Sequence, residues 1–133
     1  MSNHSDETEL SSKTVCVVDD DASVRSAICS LFRSLNYDVV SFASAFEFLS
    51  WIVDCHADCL ISDVQIPGMD GIDMYVRMRA HGREIPTIFI TAYPTPDLEA
   101  KAVAAGAIAF MPKPVNVRAL TELVARSLLP PRA

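Results

Sequence analysis

Short apolar segments alternate with amphipathic segments along this 133-residue chain, and the pair repeats five times. An apolar segment such as VCVV at 15–18 suits a strand that is buried on both faces. The amphipathic segment that follows it has apolar residues at helical spacing, at Val24, Ile28 and Leu31. Strand-then-helix units pair in parallel through right-handed crossovers, so the sequence predicts an α/β protein.

Five such units predict one particular α/β architecture. A closed eight-fold barrel needs about 250 residues and does not fit this length. Five strands fit the flavodoxin-like fold, a doubly wound (βα)5 three-layer sandwich whose parallel sheet has the order 2-1-3-4-5. The predicted strands lie at 15–18, 37–42, 59–61, 88–91 and 107–111. Ser44, Thr95 and Asn116 are the predicted caps of the second, fourth and fifth helices.

Charge and hydropathy exclude several classes of function. The chain has 11 Lys+Arg against 17 Asp+Glu, a net charge of −6, and its basic residues are dispersed, so we expect no direct contact with nucleic acid. No apolar segment approaches the roughly 20 residues of a membrane helix. Residues 1–13 lack the pattern of a secretory signal, so a cytoplasmic location without a membrane role is expected.

The four cysteines Cys16, Cys29, Cys55 and Cys59 lie within or beside apolar segments. In a reducing compartment we expect them to be small buried apolar residues. The segment 55–59 also contains a histidine and an aspartate, which together with its cysteines could bind a metal. A zinc site needs a second pair of ligands at a distance, and none is visible, so the structural interpretation is favoured.

Carboxylates follow two strands that the predicted sheet places side by side. Asp19, Asp20 and Asp21 come directly after strand 1, and Asp63 ends strand 3. In the order 2-1-3-4-5 these strand ends meet at the switch point where such folds bind ligands. Crowded carboxylates repel one another unless a cation is present, and Mg²⁺ prefers oxygen ligands of this kind. A magnesium site is therefore predicted here.

The same edge of the sheet receives a hydroxyl and an ammonium group. Strand 4 ends in Thr91, and Lys113 follows strand 5. With a metal and Asp63 as nucleophile, these groups could hold a phosphoryl group on an aspartate. No Gly-rich loop follows strand 1, and the acids there would repel the phosphate of a flavin mononucleotide. A flavodoxin function is therefore disfavoured although the predicted fold agrees with it.

Taken together, these motifs resemble the receiver domain of two-component response regulators, and receivers of the FixJ/NarL type in particular. The resemblance covers about residues 13–129. It rests on VVDDD at 17–21, ISD at 61–63, PGMDG at 67–71, ITA at 90–92 and KP at 113–114.

The resemblance implies a role for each matching residue. Asp63 would be the phosphoryl acceptor. Asp19, Asp20 and Asp63 would bind Mg²⁺ together with the backbone carbonyl of Gln65. Thr91 and Lys113 would bind the phosphoryl oxygens. Ala92 would leave room for the phosphoryl group, and the bond from Lys113 to Pro114 is expected to be cis.

Thr91 and Phe110 occupy the switch positions of the family. Phe110 lacks the hydroxyl that a tyrosine would bring, so a hydrogen bond made through that hydroxyl is absent, although its ring can still rotate. Pro94 and Pro96 stiffen the loop that moves when Thr91 turns toward the phosphoryl group.

The chain is therefore expected to consist of a flexible N-terminal tail at 1–12, a receiver domain at 13–129 and a C-terminal tail or linker start at 130–133. The receiver would accept a phosphoryl group from the phosphohistidine of a sensor histidine kinase or phosphotransfer protein, as a signalling phosphoacceptor rather than an enzyme. Phosphorylation would promote a homodimer through the fourth helix, fifth strand and fifth helix.

Two other functions stay open at this point. A Mg²⁺-dependent phosphohydrolase with an aspartyl-phosphate intermediate would use Asp19 and Asp21, although the length leaves no room for a substrate cap. A binding-only pseudo-receiver is suggested by Phe110 and the two prolines. The output is also open, because the receiver could stand alone or precede a DNA-binding helix-turn-helix domain.

Overall fold

Five parallel strands in the order β2-β1-β3-β4-β5 form the sheet in a computed structural model that describes residues 12–129. The strands are β1 (Thr14–Val18), β2 (Asp38–Phe42), β3 (Cys59–Asp63), β4 (Thr87–Thr91) and β5 (Ala109–Pro112). The helices are α1 (Ala22–Ser34), α2 (Ala45–Ile52), α3 (Gly71–Ala80), α4 (Pro96–Ala105) and α5 (Val117–Ser127). The predicted fold class and strand order are confirmed. The two predicted tails lie outside the described residues, apart from Ser12.

The two faces of the sheet carry separate cores. On β1, Val15 and Val17 point to one face and Cys16 and Val18 to the other. The first face packs against α1 and α5, with Phe32, Leu120 and Val124 fully buried, and the second packs against α2, α3 and α4. Coverage of β1, β3 and β4 on both sides explains why these strand segments lack the alternation of polar and apolar residues.

The register of the sheet brings the strand ends to one edge. Val18 pairs with Ser62, so Asp19 follows β1 beside Asp63, the last residue of β3. On the other side of β3, Asp63 pairs with Ile90, and Thr91 of β4 pairs with Pro112 of β5. The chain therefore delivers its charged and polar residues to the switch point between β1 and β3, as expected for this strand order.

Side chains cap the first turn of every helix. The predicted caps Ser44, Thr95 and Asn116 accept hydrogen bonds from backbone N–H groups, and Pro96 occupies the first turn of α4. Asp21 and Asp70 cap α1 and α3 in the same way. Each cap fixes the point at which the chain turns from loop to helix.

Two sequence predictions need correction. Strand 5 begins at Ala109 rather than at residue 107, because Ala107 donates its N–H to the carbonyl of Ala102 in the turn that follows α4. Cys55 is only half-buried, whereas Cys16, Cys29 and Cys59 are buried as predicted. Burial raises the pKa of the Cys16 thiol to about 12 and that of Cys59 to about 11. These two thiols are therefore protonated and unreactive at neutral pH.

The lengths and hydropathies of the helices show whether any of them could span a membrane. Within 12–129, no helix has the length and apolar character needed to cross a lipid bilayer.

Candidate functional site

Three carboxylates converge at the switch point. One oxygen each from Asp19, Asp20 and Asp63 lies within 4.8 Å of the others. Asp19 and Asp63 are buried at the ends of β1 and β3, whereas Asp20 is exposed at the mouth of the crevice. The sheet order predicted this cluster, and the side chains form it.

Asp19 is held in place through both its backbone and its carboxylate. Its backbone carbonyl accepts a hydrogen bond of 2.6 Å from the guanidinium of Arg25, and its Oδ1 accepts one of 2.9 Å from the N–H of Asp21. Its Oδ2 is buried and forms an ion pair of 2.9 Å with Lys113 Nζ. Among the described residues, the Lys113 ammonium is the polar partner of that oxygen.

Lys113 lies between the two buried carboxylates. Its Nζ is 2.9 Å from Asp63 Oδ2 and 2.9 Å from Asp19 Oδ2. The backbone supports this placement, because Lys113 N–H donates to the carbonyl of Thr91 at 2.8 Å. The bond from Lys113 to Pro114 is cis. Sequence reasoning placed Lys113 at this edge, and the structure adds that it bridges both acids.

Burial and neighbouring charge shift the ionisation of this group of residues. Burial raises the pKa of the Asp19 carboxyl, and the like charge of Asp63 acts in the same direction against the opposing effect of Lys113. Burial alone would lower the pKa of Lys113, but the hydrogen bond to Asp63 and the negative charges of Asp63 and Asp19 outweigh it and the pKa is raised. The ammonium therefore stays charged, while Asp19 ionises at a cost.

The residues present fit a divalent metal ion. Asp19 Oδ2 is a buried carboxylate oxygen that shares the Lys113 ammonium with Asp63, and Asp20 offers a further carboxylate from the solvent side. Three carboxylates against a single ammonium leave negative charge in the crevice, which a hard cation would offset. Oxygen donors with an open solvent side are the environment that Mg²⁺ favours, because it retains part of its water shell.

Thr91 does not face Asp63 directly. Its hydroxyl donates to Gln65 Oε1 at 2.9 Å and accepts from the N–H of Tyr93 at 3.1 Å. Gln65 in turn donates its own N–H to Asp63 Oδ1 at 3.1 Å. The predicted switch residue Thr91 is therefore linked through Gln65 to Asp63, the predicted phosphoryl acceptor.

The loop after β3 is anchored close to Asp63. Gly71 donates its N–H to the carbonyl of Val64 at 2.8 Å, and a Cβ added to Gly71 would collide with the carbonyl of Asp63. Only glycine lets the start of α3 approach the end of β3 so closely. The PGMDG motif thereby fixes the backbone that carries Asp63.

The remaining predicted residues lie around this centre. Ala92 is exposed directly after Thr91. Phe110 is half-buried, pairs with Phe89 across β4 and β5, and packs against the core beneath α2–α4. Sequence reasoning assigned Gln65 a backbone role only and did not single out Arg25. The spacing of Gln65 and Arg25 from the aspartates does not predict which way their side chains point, because this direction depends on the folded structure.

Fold and site together define a class of protein: a flavodoxin-like domain with an acidic crevice, a bridging lysine and no phosphate-binding loop after β1. A family model described as the response regulator receiver domain matches residues 15–125. The chain belongs to this family.

Relatives at the sequence level agree. Nodulation protein W of Bradyrhizobium diazoefficiens is 36% identical over 118 residues, which are 88% of this chain and 52% of that protein. Response regulator protein TmoT of Ectopseudomonas mendocina is 37% identical over 114 residues, 86% of this chain and 52% of that protein. Transcriptional regulatory protein FixJ of B. diazoefficiens is 33% identical and is matched over 54% of its length. The chain thus spans about half the length of these relatives.

Solved structures share the fold. A receiver domain protein (CheY-like) from Methanospirillum hungatei superposes with a TM-score of 0.82 at 27% identity, over 87% of this chain and 93% of that one. Response regulator StyR superposes with a TM-score of 0.79 at 39% identity, over 87% of this chain and 59% of that one. The chain is a receiver domain of two-component response regulators. Receiver domains are signalling phosphoacceptors that interact with histidine kinases and generally bind Mg²⁺ in an acidic pocket.

Proposed function

We propose that Asp63 accepts a phosphoryl group from the phosphohistidine of a sensor histidine kinase or a phosphotransfer protein. An oxygen of the Asp63 carboxylate attacks phosphorus and forms an acyl phosphate. The phosphorus–nitrogen bond breaks, and its electron pair returns to the donor imidazole. The observation that carries the proposal is the bridging of Asp63 and Asp19 by Lys113, at 2.9 Å from each.

Each residue of the crevice has a task in this step. The N–H of Gln65 and the ammonium of Lys113 orient the Asp63 carboxylate before attack. Lys113 then offsets charge on the phosphoryl oxygens, and Thr91 donates its hydroxyl proton to one of them. Ala92, with only a methyl group, leaves space beside the phosphoryl group.

Mg²⁺ is the cofactor that this site would hold, through the carboxylates of Asp19, Asp20 and Asp63 and the backbone carbonyl of Gln65. When bound, it supplies charge stabilisation to the phosphoryl oxygens. The convergence of three carboxylate oxygens within 4.8 Å of one another supports this assignment.

The phosphodonor would approach over the mouth of the crevice, beside α1 and α5. A groove of about 280 Å³ lies there, with apolar walls from Ile28, Leu31, Val117 and Leu120, and Lys113 also lines it. A partner helix that fills this groove would bring its phosphohistidine next to the site. The groove therefore favours a protein as phosphodonor, in addition to any small-molecule donor.

Phosphorylation is proposed to promote a homodimer through α4, β5 and α5. These elements carry the exposed apolar side chains of Val103 and Val117, which are 59% and 55% exposed, and Ile108 lies just before β5. Thr91 and Phe110 would transmit the change, because they lie on the two strands nearest this surface.

Phosphate-affinity electrophoresis after treatment with acetyl phosphate and Mg²⁺ tests the acceptor assignment. We expect one retarded band that is absent without Mg²⁺ and absent from Asp63→Asn, while the exposed control Asp97→Asn is retarded like the wild type. Equal retardation of Asp63→Asn would overturn the assignment.

A phosphohydrolase would be recognised in an assay of phosphate release. It would release phosphate from small esters well beyond one equivalent per protein. Asp21, the second acid of that mechanism, accepts the N–H groups of Ser23 and Val24 as the cap of α1, which disfavours the hydrolase. A binding-only pseudo-receiver would show no retarded band at all.

A further inference from the structure

Gln65 binds the hydroxyl of Thr91 at the place where the loop after β3 meets the end of β4. Thr91 Oγ1 donates to Gln65 Oε1 at 2.9 Å and accepts from the N–H of Tyr93 at 3.1 Å. A threonine hydroxyl has one proton to give. While this proton is directed at Gln65, Thr91 has none for a group on Asp63.

We propose that the Gln65 side chain is a positioning residue that holds Thr91 in the conformation of the unphosphorylated domain. The inference rests on the proposed function, in which Thr91 donates to a phosphoryl oxygen on Asp63. Switching then requires an exchange of acceptors, from the neutral amide oxygen of Gln65 to an anionic phosphoryl oxygen. Hydrogen bonds to charged acceptors are roughly twice as strong as neutral ones, so the exchange is favourable only after phosphorylation.

The burial of the two partners makes the restraint effective and reversible. Thr91 is fully buried, so a hydroxyl without an acceptor would be costly there. Gln65 is exposed, so water can solvate its amide after release. Gln65 therefore supplies the acceptor that Thr91 needs before phosphorylation and gives it up cheaply afterwards.

The restraint extends to the loop after β4. Because the N–H of Tyr93 binds the same hydroxyl oxygen, rotation of Thr91 also releases the backbone of Tyr93. Tyr93 is 72% exposed and is followed by Pro94, so the loop has little apolar burial of its own to hold it. Gln65 thus restrains this loop through a chain of two hydrogen bonds.

The side chain of Gln65 can be changed without changing its backbone contacts. The N–H group that donates to Asp63 belongs to the main chain of Gln65. The carbonyl that is proposed to bind the metal also belongs to the main chain. Gln65→Met keeps the length of the side chain and removes the acceptor, while Gln65→Glu keeps an acceptor oxygen. Glu84→Met is a matched exposed control outside the site.

The first measurement needs no phosphorylation. Three-bond scalar couplings to the Thr91 methyl carbon report its χ1 rotamer in the unmodified protein. We expect one rotamer in the wild type, in Gln65→Glu and in Glu84→Met, and averaged couplings in Gln65→Met. Unchanged couplings in Gln65→Met would overturn the inference whether or not Asp63 is the phosphoryl acceptor.

The second measurement is a double-mutant cycle with beryllofluoride, a phosphoryl mimic, at saturating Mg²⁺. We expect Gln65→Met to bind it about five-fold more tightly than the wild type, the effect of one neutral hydrogen bond of about 1 kcal/mol. In the Thr91→Val background the same substitution should have no effect. Equal affinity in the wild-type background, or a gain that persists with Thr91→Val, would contradict the role of Gln65. Failure of the wild type itself to bind would instead contradict the proposed acceptor function.

Discussion

Lys113 Nζ lies 2.9 Å from Asp63 Oδ2, although 50 positions separate the two residues in the sequence. The side chains are 16% and 8% exposed, and the same ammonium lies 2.9 Å from fully buried Asp19. One cation therefore offsets two buried negative charges. This arrangement makes Lys113 important for stability as well as for the proposed phosphoryl binding.

Lys113→Met should destabilise the domain when no metal is bound. It leaves Asp19 and Asp63 beside each other without a counter-charge, which costs about 2–4 kcal/mol of unfolding free energy. Urea denaturation in EDTA at pH 7 measures this cost, and Mg²⁺ should restore part of it by binding the folded state. Lys101→Met, an exposed substitution on α4, should change stability by less than about 0.5 kcal/mol. Equal stability of the two variants would contradict the bridging role.

Gly71→Ala should disturb the acceptor site. The new methyl group collides with the carbonyl of Asp63, so β3 or α3 must shift, at about 2–3 kcal/mol of stability. A shift of Asp63 should also weaken Mg²⁺ binding, which isothermal titration calorimetry measures. Gly82→Ala is the control: it has a φ of +85° but open space around its Cβ, so it should cost about 1–2 kcal/mol and leave Mg²⁺ affinity unchanged. Mg²⁺ affinity that is equal in both variants would refute the packing argument.

Asp58 should contribute to acid stability from the opposite end of the sheet. Burial alone would raise the pKa of its carboxyl, but the N–H of Thr14 and the ring of His56, each at 2.8 Å, lower it below the usual 3.8. A carboxyl with a lowered pKa stabilises the fold above its unfolded pKa, and this contribution is lost as the pH falls through the folded pKa.

Asp58→Asn should therefore lower the unfolding free energy at pH 7 by about 1–2 kcal/mol. The difference in unfolding free energy between the two proteins should shrink when the pH falls below 3.8. Urea denaturation of both proteins at pH 7, 5 and 3 would measure this trend. His56→Ala should have a smaller effect, because His56 is 76% exposed. A difference that grows toward low pH would contradict the sign of this linkage.

Val103→Glu should prevent the proposed dimer without affecting the fold. Val103 is 59% exposed on α4, so a charge there changes stability by less than about 0.5 kcal/mol but disfavours an apolar interface. Light scattering with beryllofluoride and Mg²⁺ should give a dimer for the wild type and a monomer for Val103→Glu. Val53→Glu, directly after α2 and 67% exposed, should still dimerise. A monomeric wild type, or a monomeric Val53→Glu, would rule out this surface.

Local sequence determined much of the fold. Apolar segments with no alternation indicated strands buried on both faces, and the caps Ser44, Thr95 and Asn116 began the helices as predicted. These features depend on a few neighbouring residues, so they can be predicted without the fold. The order of the strands followed from the topology rules for βα units. That order alone placed Asp19 beside Asp63.

Other features were decided by tertiary structure. The direction of the Gln65 side chain depends on where the loop after β3 meets β4, and no spacing in the sequence encodes it. The bridging of Asp19 and Asp63 by Lys113 requires three separate strand ends to reach one point. Sequence thus determined which residues reach the crevice, because strand order is a property of segments. Only the folded chain determined which atoms touch, because hydrogen bonds and ion pairs depend on distances of a few ångströms between distant residues.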